Sequence, residues 1–514
     1  MIRVGSVVAA VAAAVVAGGC GGGGASSSRS GGAGADGSGS GSRGAPLSVA
    51  AENRLAGTLA WKLPSTPGAG LVEGYVSDQE SSPGQLERFY INAPGARWVR
   101  VELYRMGWYG GLGGRLVMRS GELPAIRQPG CHHDSSTGLT ECKWRPTWSP
   151  RLPASLLSGV YVGKLVTSEG AQKDTLLVVR GVRPGEMVAQ ISTATYEAYN
   201  DWGGDDLYPA ALTVEATGTR QGISVSYDRP YDTATGAGQL FARDIAMVRF
   251  LERHGYPVTY TTDVGVDRHP GELRGARVVV DIGHSEYWSQ RAHDAWAAAR
   301  DAGVNLAFFS SDTMGWRVRY APASSASSEA GHPDHVVVAY KEHAALDPDS
   351  AQPTGRFPDA GASVTATRYE NCITPRLGGG AGPPVYAYYS WSPSASLSPS
   401  WLFSGTGLTA GSTVPGIVGY ELDRVAASPP AGLVIVGGGR ARCQGGAGQS
   451  DAAQSDVAQS VLYRASSGAL VFSSGTMGWQ LGLIPVPSTS PDAPTAPDGR
   501  LVRLTENLLG RMLG

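Results

Sequence analysis

Across residues 47–180 apolar and polar positions alternate in short runs separated by turn residues, as in Trp98-Val99-Arg100-Val101-Glu102-Leu103-Tyr104 and Gly159-Val160-Tyr161-Val162-Gly163-Lys164-Leu165. A period of two marks strands with one face buried, so residues 46–183 are predicted to form a β-sandwich. Near Arg183-Pro184-Gly185 the pattern changes. Residues 187–193, 258–262, 278–282 and 304–310 read as strands, and the unbroken apolar run at 278–282 fits a strand covered on both faces. Residues 240–253 carry a broad apolar helical face ended by Gly255. Ser289 is placed to cap a second helix that shows Ala292, Ala295, Trp296 and Ala299 on one side. Strands alternating with helices give βαβ units with right-handed crossovers, so residues 184–514 are predicted to be a doubly wound α/β domain. Residues 321–333 and 485–497, rich in Pro, Ser and Ala, read as surface excursions.

The N-terminus departs from both patterns. Arg3 precedes an apolar or small run over residues 4–16, closed by Ala17-Gly18-Gly19-Cys20. That run is too short to span a bilayer comfortably, and small residues before a cysteine fit a lipoprotein-type signal peptide over residues 1–20, with Cys20 as the lipidated residue. Residues 21–45 are nearly all Gly, Ser and Ala, a flexible tether whose ends lie on the order of 25–30 Å apart. The expected location is extracytoplasmic, lipid-anchored on the cell membrane or secreted. A net charge of -2 supplies no basic field for nucleic acid. Cys131 with Cys142, and Cys372 with Cys443, are the natural disulfide candidates in an exported chain. The Cys131-His132-His133 and Glu141-Cys142 runs also allow a metal cluster, although their spacing matches no standard zinc pattern.

Ligands of open parallel sheets bind beyond the carboxyl ends of the strands. Tyr196, Tyr199, Asn200 and Trp202 follow the first such strand, His284, Ser285 and Glu286 the third, and Asp312 the fourth; Glu421 follows residues 416–420. Gly283-His284-Ser285-Glu286-Tyr287 approximates a nucleophile elbow, but Tyr287 stands where the second glycine belongs, which argues against a serine nucleophile. No cysteine stands there either. A histidine and a carboxylate two residues apart suit acid/base work or metal ligation. In the N-terminal region, Tyr104-Arg105-Met106-Gly107-Trp108-Tyr109-Gly110-Gly111 reads as a carbohydrate platform or, preferably, as a tight turn with buried aromatics.

Five runs carry a resemblance: residues 195–204 (Thr-Tyr-Glu-Ala-Tyr-Asn-Asp-Trp-Gly-Gly), Arg229-Pro230-Tyr231, residues 283–288, residues 309–316 and Gly419-Tyr420-Glu421-Leu422-Asp423. Their order and spacing resemble the large (beta) subunits of the N,N-dimethylformamidase family across the whole second region. The resemblance implies a class I glutamine-amidotransferase-like α/β fold and a mononuclear iron, Fe(III), held by two tyrosines and one glutamate. It also implies hydrolysis of the C–N bond of a small amide, with a small partner subunit in the characterised enzyme. By position, the metal ligands are Tyr199, Tyr231 and Glu286, with Tyr196 as the alternative to Tyr199, and His284 and Glu421 are acid/base partners. Asp312 stands where the family pattern has asparagine. An ionised carboxylate cannot donate a hydrogen bond to an oxyanion, so this position bears directly on the reaction. The expectation is a membrane-tethered amidohydrolase whose partners are a small amide and the membrane, with a homo-oligomer left open. The alternative is a non-catalytic cell-envelope or carbohydrate-binding lipoprotein.

Overall fold

The computed structural model describes residues 48–64, 68, 70–181, 186–208, 221–377, 385–444, 454–484 and 491–514. The expected signal peptide, Cys20 and the tether lie outside the described residues. So do the pattern change at Arg183-Pro184-Gly185 and part of the 485–497 excursion. Residues 46–514 form one compact unit.

The alternating N-terminal runs fold into two layers. The smaller sheet sets Phe89–Asn92 between Glu73–Val76 and Pro146–Trp148; the larger runs Glu80–Ser81, Gln172–Val179, Gly159–Thr167, Trp98–Met106, Gly114–Arg119. Val99, Val101 and Leu103 share an apolar core with Val76, Phe89 and Ile91 of the smaller sheet. The opposite face of the larger sheet is also covered: Tyr104, Met106, Val160 and Val162 pack in one core with Met247, Phe250 and Leu251 of the helix Ile245–Arg253. Polar residues on that face must therefore find partners. Arg105 pairs with Glu252 at 2.7 Å, and the Tyr109 hydroxyl donates to Glu52 at 2.8 Å. Tyr104 and Tyr109 are buried, so these two aromatics pack into the joint between layers, while Trp108 is half-buried with Arg253 over its ring.

The strands of the second region build a nine-stranded mixed sheet. Val258–Thr262, Met187–Ile191, Val278–His284, Asn305–Ser311 and Leu470–Ser473 are parallel neighbours in that order. Side chains alternate between two cores. Val278, Val280 and Ile282 join the helices Ile245–Arg253 and Gly499–Leu513 on one face, while Val279, Leu306 and Phe308 meet Trp296 of Gln290–Asp301 on the other. Ser289 caps that last helix by accepting from the Ala292 N–H.

Here the expectation of a doubly wound parallel sheet needs correction. Beyond Leu470–Ser473 the sheet continues through Gln454–Arg464, Val434–Cys443, Tyr389–Pro393 and Val414–Val418, all antiparallel to their neighbours. The link from Arg464 to Leu470 is too short for a crossover helix, so the two strands can pair only as a hairpin. The fold is strand-rich mixed α/β. Cys131–Cys142 and Cys372–Cys443 are both disulfides, bonds of the kind that persist in oxidising compartments. Among the described residues no helix is long and apolar enough to cross a membrane.

Candidate functional site

The parallel half of the sheet delivers polar side chains to one place. Tyr199 ends the short helix Thr193–Ala198, which follows the strand Met187–Ile191. That helix start is pinned by Asp263, which accepts from the Ala194 N–H at 2.8 Å and the Thr193 hydroxyl at 2.7 Å. His284 ends the strand Val278–His284, and Gly283 before it adopts φ +78°, where a Cβ would lie 1.7 Å from an Asp244 carboxylate oxygen. No other residue fits that turn. The backbone N–H groups of Glu286 and Tyr287 donate to the Thr195 hydroxyl at 3.1 and 3.2 Å, tying the third strand end to the first. Asp312 follows Asn305–Ser311 and Glu421 opens the strand Glu421–Val425. The Ser311 hydroxyl donates to the Glu421 carbonyl at 2.7 Å, and the Asp312 N–H to Asp423 at 2.8 Å.

At the centre, the Tyr199 hydroxyl donates to Glu286 Oε2 at 2.8 Å. Tyr208 joins them: its hydroxyl lies 2.6 Å from that of Tyr199 and 2.9 Å from both Glu286 carboxylate oxygens. Tyr287 donates to Tyr208 at 2.8 Å, and Lys341 Nζ donates to Tyr287 at 2.9 Å while lying 3.4 Å from the Tyr208 ring centre. His284 Nε2 stands 3.4 Å from both Glu286 and Glu421, in hydrogen-bonding alignment with neither. Its Nδ1 lies 3.0 Å from the Gln239 side-chain oxygen and 3.3 Å from the Tyr420 hydroxyl, both able to accept an Nδ1 proton. Glu421 Oε2 and Asp312 Oδ1 are likewise buried without a hydrogen-bond partner. Buried polar atoms are normally satisfied, so three orphans on one cluster mark a place built to receive something.

Burial opposes charge on His284, but Glu421 and Glu286 outweigh it and raise the imidazole to about 9. One imidazolium cannot serve two carboxylates equally. Burial pushes Glu286 up, yet the charge on His284, the nearby Lys341 and the Tyr199 hydroxyl together hold it below the usual carboxylate range. Glu421 has less help, and burial leaves it raised. Burial, reinforced by Glu286, Glu421 and Asp423, puts Asp312 well above the usual range. Burial therefore biases Asp312 toward its acid form, the form that can donate a hydrogen bond. Burial also raises the Tyr199 and Tyr208 phenols well above their usual value, with Glu286 the largest charged contributor.

Of the sequence-predicted set, Tyr199, Glu286, His284, Glu421 and Asp312 converge. Tyr231 does not join them. Its hydroxyl donates to Gln79 at 2.8 Å, its ring packs edge-on against Tyr196, and Glu197 and Tyr227 are the leading ionisable groups around it. The reason is local. Arg229 is held by the carbonyls of Asn200, Trp202 and Asp205, so Arg229-Pro230-Tyr231 braces the loop carrying Tyr199 and Tyr208 from behind and sends Tyr231 toward the N-terminal sheets. Tyr196 is also elsewhere, donating to Asp244. Ser285 accepts from Ser192 and Trp288 in a buried, structural role. Tyr208, Gln239 and Lys341 were missed. Tyr208 closely follows the Trp202-Gly203-Gly204 turn and was findable as a second tyrosine of that motif; Gln239 and Lys341 carry no local signal.

Residues 100–492 match the family model described as N,N-dimethylformamidase beta subunit-like, C-terminal. No curated protein sequence matches the chain. Among solved structures, a Paenibacillus sp. cycloisomaltooligosaccharide glucanotransferase, complexed with cycloisomaltoheptaose, is similar at 7% identity and a TM-score of 0.16. The match covers 46% of this chain and 44% of that one, so the chain spans under half of that structure's length.

Proposed function

Since the chain belongs to the N,N-dimethylformamidase beta subunit-like, C-terminal family, we propose that it is a metal-dependent amidohydrolase acting on the C–N bond of a small amide. The single observation that carries the reading is the Tyr199, Tyr208 and Glu286 oxygen cluster, with the unpartnered His284 Nε2 and Glu421 Oε2 at its edge. Two phenols and a carboxylate are a hard donor set suited to iron(III), and they fit the family's two-tyrosine, one-glutamate pattern with Tyr208 in place of Tyr231. Iron held there would supply Lewis acidity that polarises a carbonyl and acidifies water. We read the parallel half of the large sheet, helices on both faces, as the amidotransferase-like part of the fold. Export through a lipidated Cys20 and a small partner subunit belong to the same proposal.

The chain's own groups divide the proton work. Glu421, raised and beside the imidazole, is the base that takes a proton from attacking water. Imidazolium His284, with Nδ1 held by Gln239, donates through Nε2 to the departing amine nitrogen. Asp312, in the acid form that burial favours, offers its hydrogen to the carbonyl oxygen as negative charge gathers there. Amine release from N,N-dimethylformamide and related small amides, followed on the iron-loaded full chain with and without its partner subunit, tests this. Turnover that disappears in Glu286→Gln supports it; an iron-loaded protein that hydrolyses none of the small amides contradicts it.

A further inference from the structure

A second cluster lies where His332-Pro333-Asp334-His335 closes the 321–333 excursion, just before the strand Val336–Val338. His335 is buried, its Nδ1 lies 2.9 Å from the Asp228 carboxylate, and its Nε2 has no partner. His332 stands beside it, with Nδ1 3.0 Å from an Asp334 oxygen but outside hydrogen-bonding alignment, and Nε2 3.7 Å from Asp78. The two imidazoles lie 3.7 Å apart, and one ligand atom each from Asp78, His332 and His335 lies within 4.8 Å of the others. A carboxylate on one ring nitrogen fixes the tautomer and leaves the other nitrogen's lone pair aimed outward, which is how metal-binding histidines are held. His335 has that support from Asp228.

Charge points the same way. Asp78, Asp228 and Asp334 gather around the cluster, and Arg268 is the guanidinium set among them, bonded to Asp78 at 2.7 Å and to Asp334 at 2.8 Å. Three carboxylates around one guanidinium give the cluster an excess of negative charge that a cation offsets. Two imidazoles and one carboxylate suit zinc-class ions and not calcium or magnesium, which take oxygen shells. The fourth position opens outward, because His332 is partly exposed.

We propose that Asp78, His332 and His335 form a zinc-class site separate from the tyrosine cluster, with His335 positioned by Asp228. Its role is to clamp the excursion onto the N-terminal sheets. Asp78 comes from the turn between Glu73–Val76 and Glu80–Ser81, whereas both histidines precede the strand Val336–Val338. The excursion already leans on those sheets, with Ser328 bonded to the Tyr75 hydroxyl at 3.0 Å and Glu329 to Arg88 at 3.4 Å. The metal adds a bond that spans the same gap.

Cobalt(II), a coloured substitute for zinc, tests this on the chelator-treated full chain. The expected result is one equivalent taken up with the visible bands of a nitrogen/oxygen site, unchanged in Glu286→Gln and displaced by zinc. His332→Ala, at a partly exposed position, loses it, and Asp78→Asn weakens it by roughly tenfold or more. Zinc raises the melting temperature of the wild type and of Glu286→Gln, and leaves that of His332→Ala unmoved. Uptake and spectrum unaltered in His332→Ala, or no uptake by the wild type, overturn the proposal.

Discussion

Two buried ionic clusters in this protein are built on opposite principles. Where the N-terminal sheets meet the helix Ile245–Arg253, Arg105 gives both terminal nitrogens to Glu252 at 2.7 and 2.9 Å, a third bond to the Ser158 carbonyl, and a fourth to Tyr109. Glu52 completes it by accepting from Tyr109 and Arg115. At the strand ends Glu286, Glu421 and Asp312 crowd around His284, with Lys341, Arg243 and Arg356 as nearby cations and three polar atoms without a hydrogen-bond partner. The first cluster spends its charges on holding two layers together. The second holds charges that the fold does not use, which is what a site that must interact with something else requires.

The sharpest way to break this contrast is to remove one member from each side. Arg105→Ala strands Glu252 as an uncompensated buried charge, and denaturant unfolding is expected to show a loss of about 3–5 kcal/mol. Glu286→Gln has the inverse profile: amide hydrolysis falls roughly 10²–10⁴-fold, while the metal-free protein loses clearly less stability than Arg105→Ala, because the amide still accepts from Tyr199 and relief of repulsion with Glu421 and Asp312 offsets part of the lost attraction to His284 and Lys341. A Glu286→Gln variant as unstable as Arg105→Ala would erase the distinction.

A third buried acid sharpens it. Asp174, on the larger N-terminal sheet, has one oxygen unpartnered, and burial raises it to about 8 despite Lys164. Its folded value exceeds the unfolded value of about 3.9, so the stability of its neutral form is complete below about pH 4 and lost as pH climbs toward 8. Asp174→Asn is therefore expected to match the wild type near pH 4 and to exceed it by about 1–3 kcal/mol near pH 8 in urea unfolding. An advantage independent of pH would refute the assignment. Smallest is Tyr231→Phe, which removes one hydrogen bond to Gln79 at a cost of about 1 kcal/mol in the same assay and leaves bound iron unchanged.

Much of this was legible in the residues. The unbroken apolar run at 278–282 announced a doubly covered strand because both of its faces do meet apolar cores, and Ser289 announced its helix because capping is local chemistry. The antiparallel half of the sheet was not legible, since it depends on a short link between strands distant from the βαβ pattern. At the site, Glu286, His284 and Tyr199 were found because each follows a strand that the periodicity marks. Tyr231 was misplaced for a different reason: motif order says which residues are near in sequence, not which way Arg229 turns the backbone. Lys341 arrives from a segment remote in sequence, and only tertiary packing brings it beneath Tyr287.

The most direct test of the central claim is the visible spectrum of the iron(III)-loaded full chain. The account predicts a phenolate-to-iron charge-transfer band in the wild type that is retained in Tyr231→Phe and weakened or lost in Tyr199→Phe and Tyr208→Phe. A band that survives Tyr208→Phe intact and vanishes in Tyr231→Phe would contradict it.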